Sequence, residues 1–163
     1  MELKKICLIG DFAVGKTSLA RRFVSNIYSI DYITTIGVKV ETKVVELPDN
    51  GPIKLVIWDM AGSSSISTVA RNYLQGASGY LLVADGTRKQ TLDSALHLKT
   101  QVDSILDSPP SFGLLNKCDL TSNWDISESF ISTQPDPHYW RLSSALSGEA
   151  VENVFIDLAS AMT

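Results

Sequence analysis

Eight residues near the start of the chain, GDFAVGKT from Gly10 to Thr17, set two glycines, a lysine and a threonine at the G-x-x-x-x-G-K-[ST] spacing. Between a strand and a helix, such a run curls its backbone N–H groups into an anion cradle at the helix N-terminus. Asp11, Phe12, Ala13, Val14, Gly15 and Ser18 supply the remaining positions of the cradle. Lys16 can reach the outer phosphates of a nucleoside triphosphate, and Thr17 can offer its hydroxyl to Mg²⁺. By itself the run specifies phosphate and leaves the base open.

The base is chosen by NKCD, Asn116 to Asp119. Guanine shows N1–H and a 2-amino group, two adjacent donors that match the two oxygens of Asp119. Adenine has an acceptor at N1 and would leave that carboxylate unpaired. Asn116 and the stem of Lys117 can brace the loop and cover the base, with Leu120 beside them. Between the two motifs, VIWDMAGSSS (56–65) runs from a strand through Asp59 and Gly62, where a terminal phosphate can be sensed, into Ser63, Ser64 and Ser65.

These residues need a scaffold that delivers them to one edge. KICLI (5–9) is a short apolar run stopped by Gly10 and reads as a buried strand. Leu19, Ala20, Phe23 and Val24 recur at helical spacing after the glycine-rich turn. Residues 38–47 and 53–58 flank PDNG and read as a hairpin. GYLLVAD (79–85) and FGLLN (112–116) are further buried strands, and residues 91–106 between them carry a helical rhythm that stops before Pro109 and Pro110. A weaker helix is expected around 125–132, a short strand near Tyr139 to Leu142, and a last helix from about 148. The alternation predicts an α/β fold: a mostly parallel six-stranded sheet with helices on both faces and one antiparallel edge hairpin. Ligands of such sheets sit at the carboxyl ends of the strands, where both motifs fall.

The 163 residues fit one domain, 1–163, with no room for a second. A net charge of −4 excludes the global basic field that wraps nucleic acid or coats anionic lipid. Cys7 and Cys118 lie far apart without metal-ligand spacing, which suits a reducing cytoplasm rather than a disulfide framework. His97 and His138 lack ligand-type neighbours in sequence and read as structural.

The ordered motifs resemble a small GTPase of the Ras superfamily, most of all its Rab branch. The resemblance runs from KKICLIGDFAVGKTSL through YSIDYITTIGV, IKLVIWDMAG, NYLQGASGYLLVAD and NKCDL to SSALSG. It implies a P-loop NTPase small G-domain, GTP/GDP and Mg²⁺ as ligands, and a switch served by a guanine nucleotide exchange factor, a GTPase-activating protein and effectors. By that resemblance Tyr28 lies against the guanine edge, Tyr32 closes over the phosphates, and Thr35 joins Thr17 on the metal and contacts the γ-phosphate. Asp59 holds the metal through a water, Gly62 gives its N–H to the γ-phosphate, and Ser144 with Ala145 meets the guanine carbonyl, next to Leu146. Tethers at Thr35 and Gly62 would order two loops only while a γ-phosphate is present. Ile36, Val40, Trp58 and Tyr73 form the implied effector surface, with Val40 where such proteins carry an aromatic.

Three departures bear on the implied catalytic set of Lys16, Thr35, Gly62 and residue 63. Ser63 stands where the family has a water-positioning glutamine and is too short for that task. Phe12 fills a position usually given to glycine or another small residue. Leu146 replaces a lysine that steadies the base loop. The expected protein is a GTP/GDP switch with weak intrinsic hydrolysis completed by a partner. The alternative is a GTP-loaded interaction module with little or no hydrolysis. A P-loop kinase or ATPase is disfavoured by NKCD and by the absence of an arginine-rich lid. The chain is further expected to be monomeric and cytoplasmic, without a lipid anchor in its DLASAMT end. It would reach membranes through a partner or through a lipidated tail that has been removed.

Overall fold

The computed structural model describes residues 1–28, 35–127 and 129–163. Strand β1 (Glu2–Gly10) leads into helix α1 (Lys16–Ser25), β2 (Val38–Leu47), β3 (Gly51–Met60), α2 (Thr68–Leu74), β4 (Gly79–Asp85) and α3 (Lys89–Leu106). Then come β5 (Ser111–Asn116), a 3₁₀ turn over Cys118–Asn123, α4 (Ser129–Ser132), β6 (Trp140–Leu142) and α5 (Val151–Ala161). The strands form a six-stranded sheet in the order β2-β3-β1-β4-β5-β6, with β2 and β3 antiparallel and the other pairs parallel. The α/β sheet with an antiparallel edge hairpin is therefore as predicted.

Alternation along each strand divides the apolar residues between two cores. Ile6 and Leu8 of β1, with Leu81 and Val83 of β4, pack under α1 and α5. Cys7 and Ile9, with Tyr80, Leu82 and Ala84, face α2 and α3 on the other side. Strands covered on both faces carry unbroken apolar runs, which is why the central ones stand out in the sequence. On one face the rings of Phe23 and Phe155 stack with centroids 4.1 Å apart. On the other, α3 buries Leu92, Ala95, Leu98 and Val102 as one stripe.

Three elements differ from expectation. Helix α2 has no sequence stripe to announce it, because it buries Leu74 alone; its start is fixed by Ser67, whose hydroxyl accepts from the Ala70 N–H. Helix α4 is shorter than 125–132. Trp124 and Asp125 are instead drawn into loop contacts, the indole donating to the Lys117 carbonyl and the carboxylate accepting from the Lys89 N–H. Helix α5 begins at Val151 because Gly148 and Ala150 hold positive φ angles of 85° and 60°, which no helix accommodates. What matters for function is where strands stop: Gly10, Asp85 and Asn116 each end one, and Asp59 lies one residue from the end of β3. Among the described residues no helix is long and apolar enough to cross a membrane.

Candidate functional site

Where β1 ends, the chain leaves through a passage that only glycine fits: a Cβ on Gly10 would lie 2.3 Å from the Val83 carbonyl oxygen. Gly15 is equally constrained, with φ at 104° and Asn116 Nδ2 2.3 Å from where a Cβ would be. Lys16, 6% exposed, turns back into the loop and donates to the carbonyls of Gly10 and Asp11, each at 3.0 Å. Burial lowers its pKa to about 8, against the attraction of Asp59 and Asp11 and with some help from the Arg88 charge. An ammonium desolvated in this way gains from any anion brought into the loop.

Three oxygens meet beside it. Thr17 Oγ1 donates to Asp59 Oδ2 at 2.5 Å, the Thr17 and Thr35 hydroxyls are 2.6 Å apart, and Thr35 Oγ1 lies 3.3 Å from the same carboxylate oxygen. The second oxygen of Asp59 is buried with no hydrogen-bond partner among the described residues, and burial raises the carboxyl's pKa. Two hydroxyls and a buried carboxylate with an unused oxygen form a hard, all-oxygen donor set. That set fits Mg²⁺, which takes one or two protein oxygens and fills its other positions with water and phosphate.

The base-side residues surround a cavity of about 190 Å³ lined by Gly15, Ser18, Tyr28, Asn116, Lys117, Asp119, Leu120, Ala145 and Leu146. Asn116 is buried, donating to the Val14 carbonyl at 2.9 Å and accepting from Ser143 Oγ at 3.2 Å. Lys117, with φ at 67°, donates to the Ala13 carbonyl at 3.1 Å. Asp119 is held through Ser144 Oγ, which donates to it at 2.7 Å and accepts from the Ser147 N–H at 3.1 Å. Both sequence motifs thus interlock through backbone carbonyls of the phosphate loop.

Asp85 completes this interlock, and sequence reasoning did not single it out. Its carboxylate, 1% exposed, pairs through Oδ2 with Lys117 Nζ at 2.8 Å and with Arg88 Nε at 3.1 Å. Its other oxygen accepts from the Thr87 N–H and hydroxyl at 2.9 and 2.7 Å. Burial pushes its pKa up, but the bonds from Lys117 and Thr87 prevail and hold it below the ordinary carboxylate value. Arg88 Nη2 in turn donates to the Phe12 carbonyl at 2.8 Å. One carboxylate therefore holds two cations, each of which holds one carbonyl of the phosphate loop. The only hint in sequence was position, at the end of an apolar strand.

At the opposite end, Gly62 rests on the phosphate loop so closely that a Cβ would lie 2.5 Å from Phe12 Cα. Its neighbours are pinned: the Ala61 N–H donates to the Gly37 carbonyl at 2.9 Å and the Ser63 N–H to the Gly10 carbonyl at 3.1 Å. Ser63 turns its hydroxyl back on its own loop, donating to the Ser65 carbonyl at 2.7 Å and accepting from the Ser65 N–H at 3.2 Å. Phe12 leaves about half its surface exposed at 51%, and its N–H already donates to Asp11 Oδ1 at 2.7 Å. Tyr32 lies outside the described residues.

Residues 5–163 match the Ras family model. The chain belongs to the Ras family. It is 37% identical to Ras-related protein Rab-1C of Dictyostelium discoideum, over 97% of this chain and 80% of that protein. It is 35% identical to GTP-binding protein YPT1 of Saccharomyces cerevisiae, over 96% of this chain and 77% of that one. With Ras-related protein Rab-32A of Dictyostelium discoideum the identity is 33%, over 97% and 74%. Among Ras-family proteins it is thus Rab-like.

In this small GTPase three of the residues expected to meet effectors, Val40, Trp58 and Tyr73, lie together. Val40 pairs across the hairpin with Trp58, and the Trp58 and Tyr73 rings lie 6.0 Å apart. Lys5 Nζ sits 3.7 Å from the centroid of the Trp58 ring while donating to the Tyr73 and Gln75 carbonyls at 2.6 and 2.7 Å. Ile36 stands 91% exposed. Val40 is also exposed.

Proposed function

We propose that the chain, acting as one unit over 1–163, is a guanine-nucleotide switch that holds GTP far longer than it cleaves it. The observation that carries the base assignment is Asp119, aimed by Ser144 at a cavity whose other walls share hydrogen bonds with the phosphate loop. In this reading Asn116, Lys117 and Tyr28 frame the guanine, the cradle from Gly10 to Ser18 wraps the phosphates, and Lys16 supplies charge to the outer ones. Thr17, Thr35 and Asp59 would hold Mg²⁺, which when bound supplies charge neutralisation on the phosphate oxygens.

Slow hydrolysis is supported by the Ser63 hydroxyl, committed to Ser65 rather than to a water, and by the bulk of Phe12 at the loop's mouth. Phosphoryl transfer in this fold rests on positioning and electrostatics, so losing the water's guide while keeping Lys16 spares binding more than rate. A GTPase-activating protein that brings its own glutamine and arginine would restore the step. An exchange factor would reload the protein, and effectors would read Ile36, Val40, Trp58 and Tyr73 in the GTP state. We place it in the cytoplasm, meeting membranes through partners or a lipidated tail.

Competition binding of GTP and ATP, followed by single-turnover phosphate release from preloaded GTP, tests this reading. Equal affinity for the two nucleotides refutes the guanine assignment. Release at a rate unaffected by restoring glutamine at 63 and glycine at 12 refutes the account of slow hydrolysis. A complete absence of release, even with activating proteins, favours the interaction-module reading.

A further inference from the structure

A second cavity, of about 500 Å³, shares walls with both base-binding loops. Leu115, Trp124, Ile126, Ile131 and Leu142 make it apolar, and its size falls in the range of small-molecule pockets, roughly 300–1,000 Å³. Among the described residues, Glu149 is the one charged side chain on its wall. Its Oε2 accepts from Cys118 Sγ at 3.1 Å, and no lysine or arginine among the described residues forms an ion pair with it. An apolar body with one convergent carboxylate selects a ligand of matching design.

We propose that this cavity binds a small amphiphilic amine, with its hydrocarbon against the aliphatic wall and the Trp124 indole and its ammonium against Glu149. Leu115 and Cys118 flank Asn116 and Lys117, and Trp124 Nε1 donates to the Lys117 carbonyl at 3.0 Å. Glu149 offers its own carbonyl to the Ser144 N–H at 3.2 Å. The Trp124 ring is wedged against Gly86, where a Cβ would come within 2.3 Å of it. An occupant therefore braces the loops that present Asp119 and Ser144, and slows nucleotide release.

The probes are octylammonium and, as its uncharged counterpart, octanol, titrated into the full chain by calorimetry and tryptophan fluorescence. Octylammonium is expected to bind saturably at one site, about threefold tighter than octanol, the scale of an ion pair to an exposed carboxylate. Glu149→Gln should remove that advantage while leaving octanol binding unchanged, which also reports that the variant is folded. Leu142→Arg, a change at a partly exposed wall residue, should abolish amine binding by placing a cation at the carboxylate. The proposal is overturned if octylammonium does not saturate, or if Glu149→Gln leaves its affinity unchanged. Release of a fluorescent GDP analogue should slow in the presence of the amine in the unmutated chain and not in Glu149→Gln; an identical effect in both also counts against the site.

Discussion

At the base end of the cleft, Asn116, Lys117, Asp119 and Ser144 all have protein partners before any ligand is considered. At the metal and γ-phosphate end, Asp59 keeps a buried oxygen without a partner among the described residues, Lys16 is desolvated, and Ser63 uses its hydroxyl on its own loop. The first arrangement is preorganised and selects a ligand at little further cost in order. The second stores an electrostatic demand that an anion and a cation satisfy together. Departures from the family pattern touch both ends: Phe12 and Ser63 alter the reactive end and Leu146 the rim of the base end, whereas Asp119, the side chain proposed to distinguish guanine, is retained.

The largest effect should come from Asp119→Asn, which exchanges two acceptors for an acceptor and a donor. Preference for guanine over xanthine nucleotides is expected to fall by about 10³ or more, read by competition against a fluorescent GDP analogue. Undiminished preference would show that the base end is not set by Asp119.

Asp85→Asn should damage both ends at once. Losing the charge that holds two cations is expected to cost about 3 kcal/mol of stability, from the low end for buried pairs because Lys117 and Arg88 keep about a third of their surface in water. Nucleotide dissociation should also accelerate by about tenfold or more. A variant that loosens only one end would break the link between them.

Lys16 gives a pH signature of the unsatisfied end. Its folded pKa of about 8 lies below the unfolded 10.5, so the penalty for its charge is fully present below pH 8 and is relieved as pH rises toward 10.5. Nucleotide-free protein should therefore gain on the order of 3 kcal/mol across that window relative to Lys16→Met, as followed by urea unfolding. Bound GDP with Mg²⁺ should flatten the difference.

Ser63→Gln alone is expected to raise single-turnover hydrolysis little, and Ser63→Gln with Phe12→Gly by about tenfold, because both residues act on one small volume. Equal rates in the two variants would show that Phe12 does not crowd the water. The smallest change is Leu146→Lys at the exposed rim of the base cavity, which should slow GDP release by about two- to threefold, the scale of one solvent-exposed contact.

How much of this was legible in sequence follows from how local each signal is. Glycines at 10 and 15, Lys16 and the NKCD run declare themselves because backbone geometry and chemistry coincide within a few residues. The sheet was legible because strands buried on both faces leave unbroken apolar runs. Helix α2 was not, since a helix that buries only Leu74 leaves no periodic trace. The start of α5 was misplaced because the positive φ of Ala150 is invisible in a residue that favours helices. Arg88 and Phe12 are 76 positions apart, and no spacing rule connects them.

The Asp85 clamp bears on how the protein lets go. Were base and phosphates gripped independently, release could proceed in stages, with one end detached while the other stayed anchored. Here a pull on the Phe12 carbonyl draws on Arg88, a pull on the Ala13 carbonyl draws on Lys117, and both strains arrive at one carboxylate. Unloading should then be a single kinetic event with one exponential phase, and an exchange factor needs purchase on only one side of the cleft to open the other.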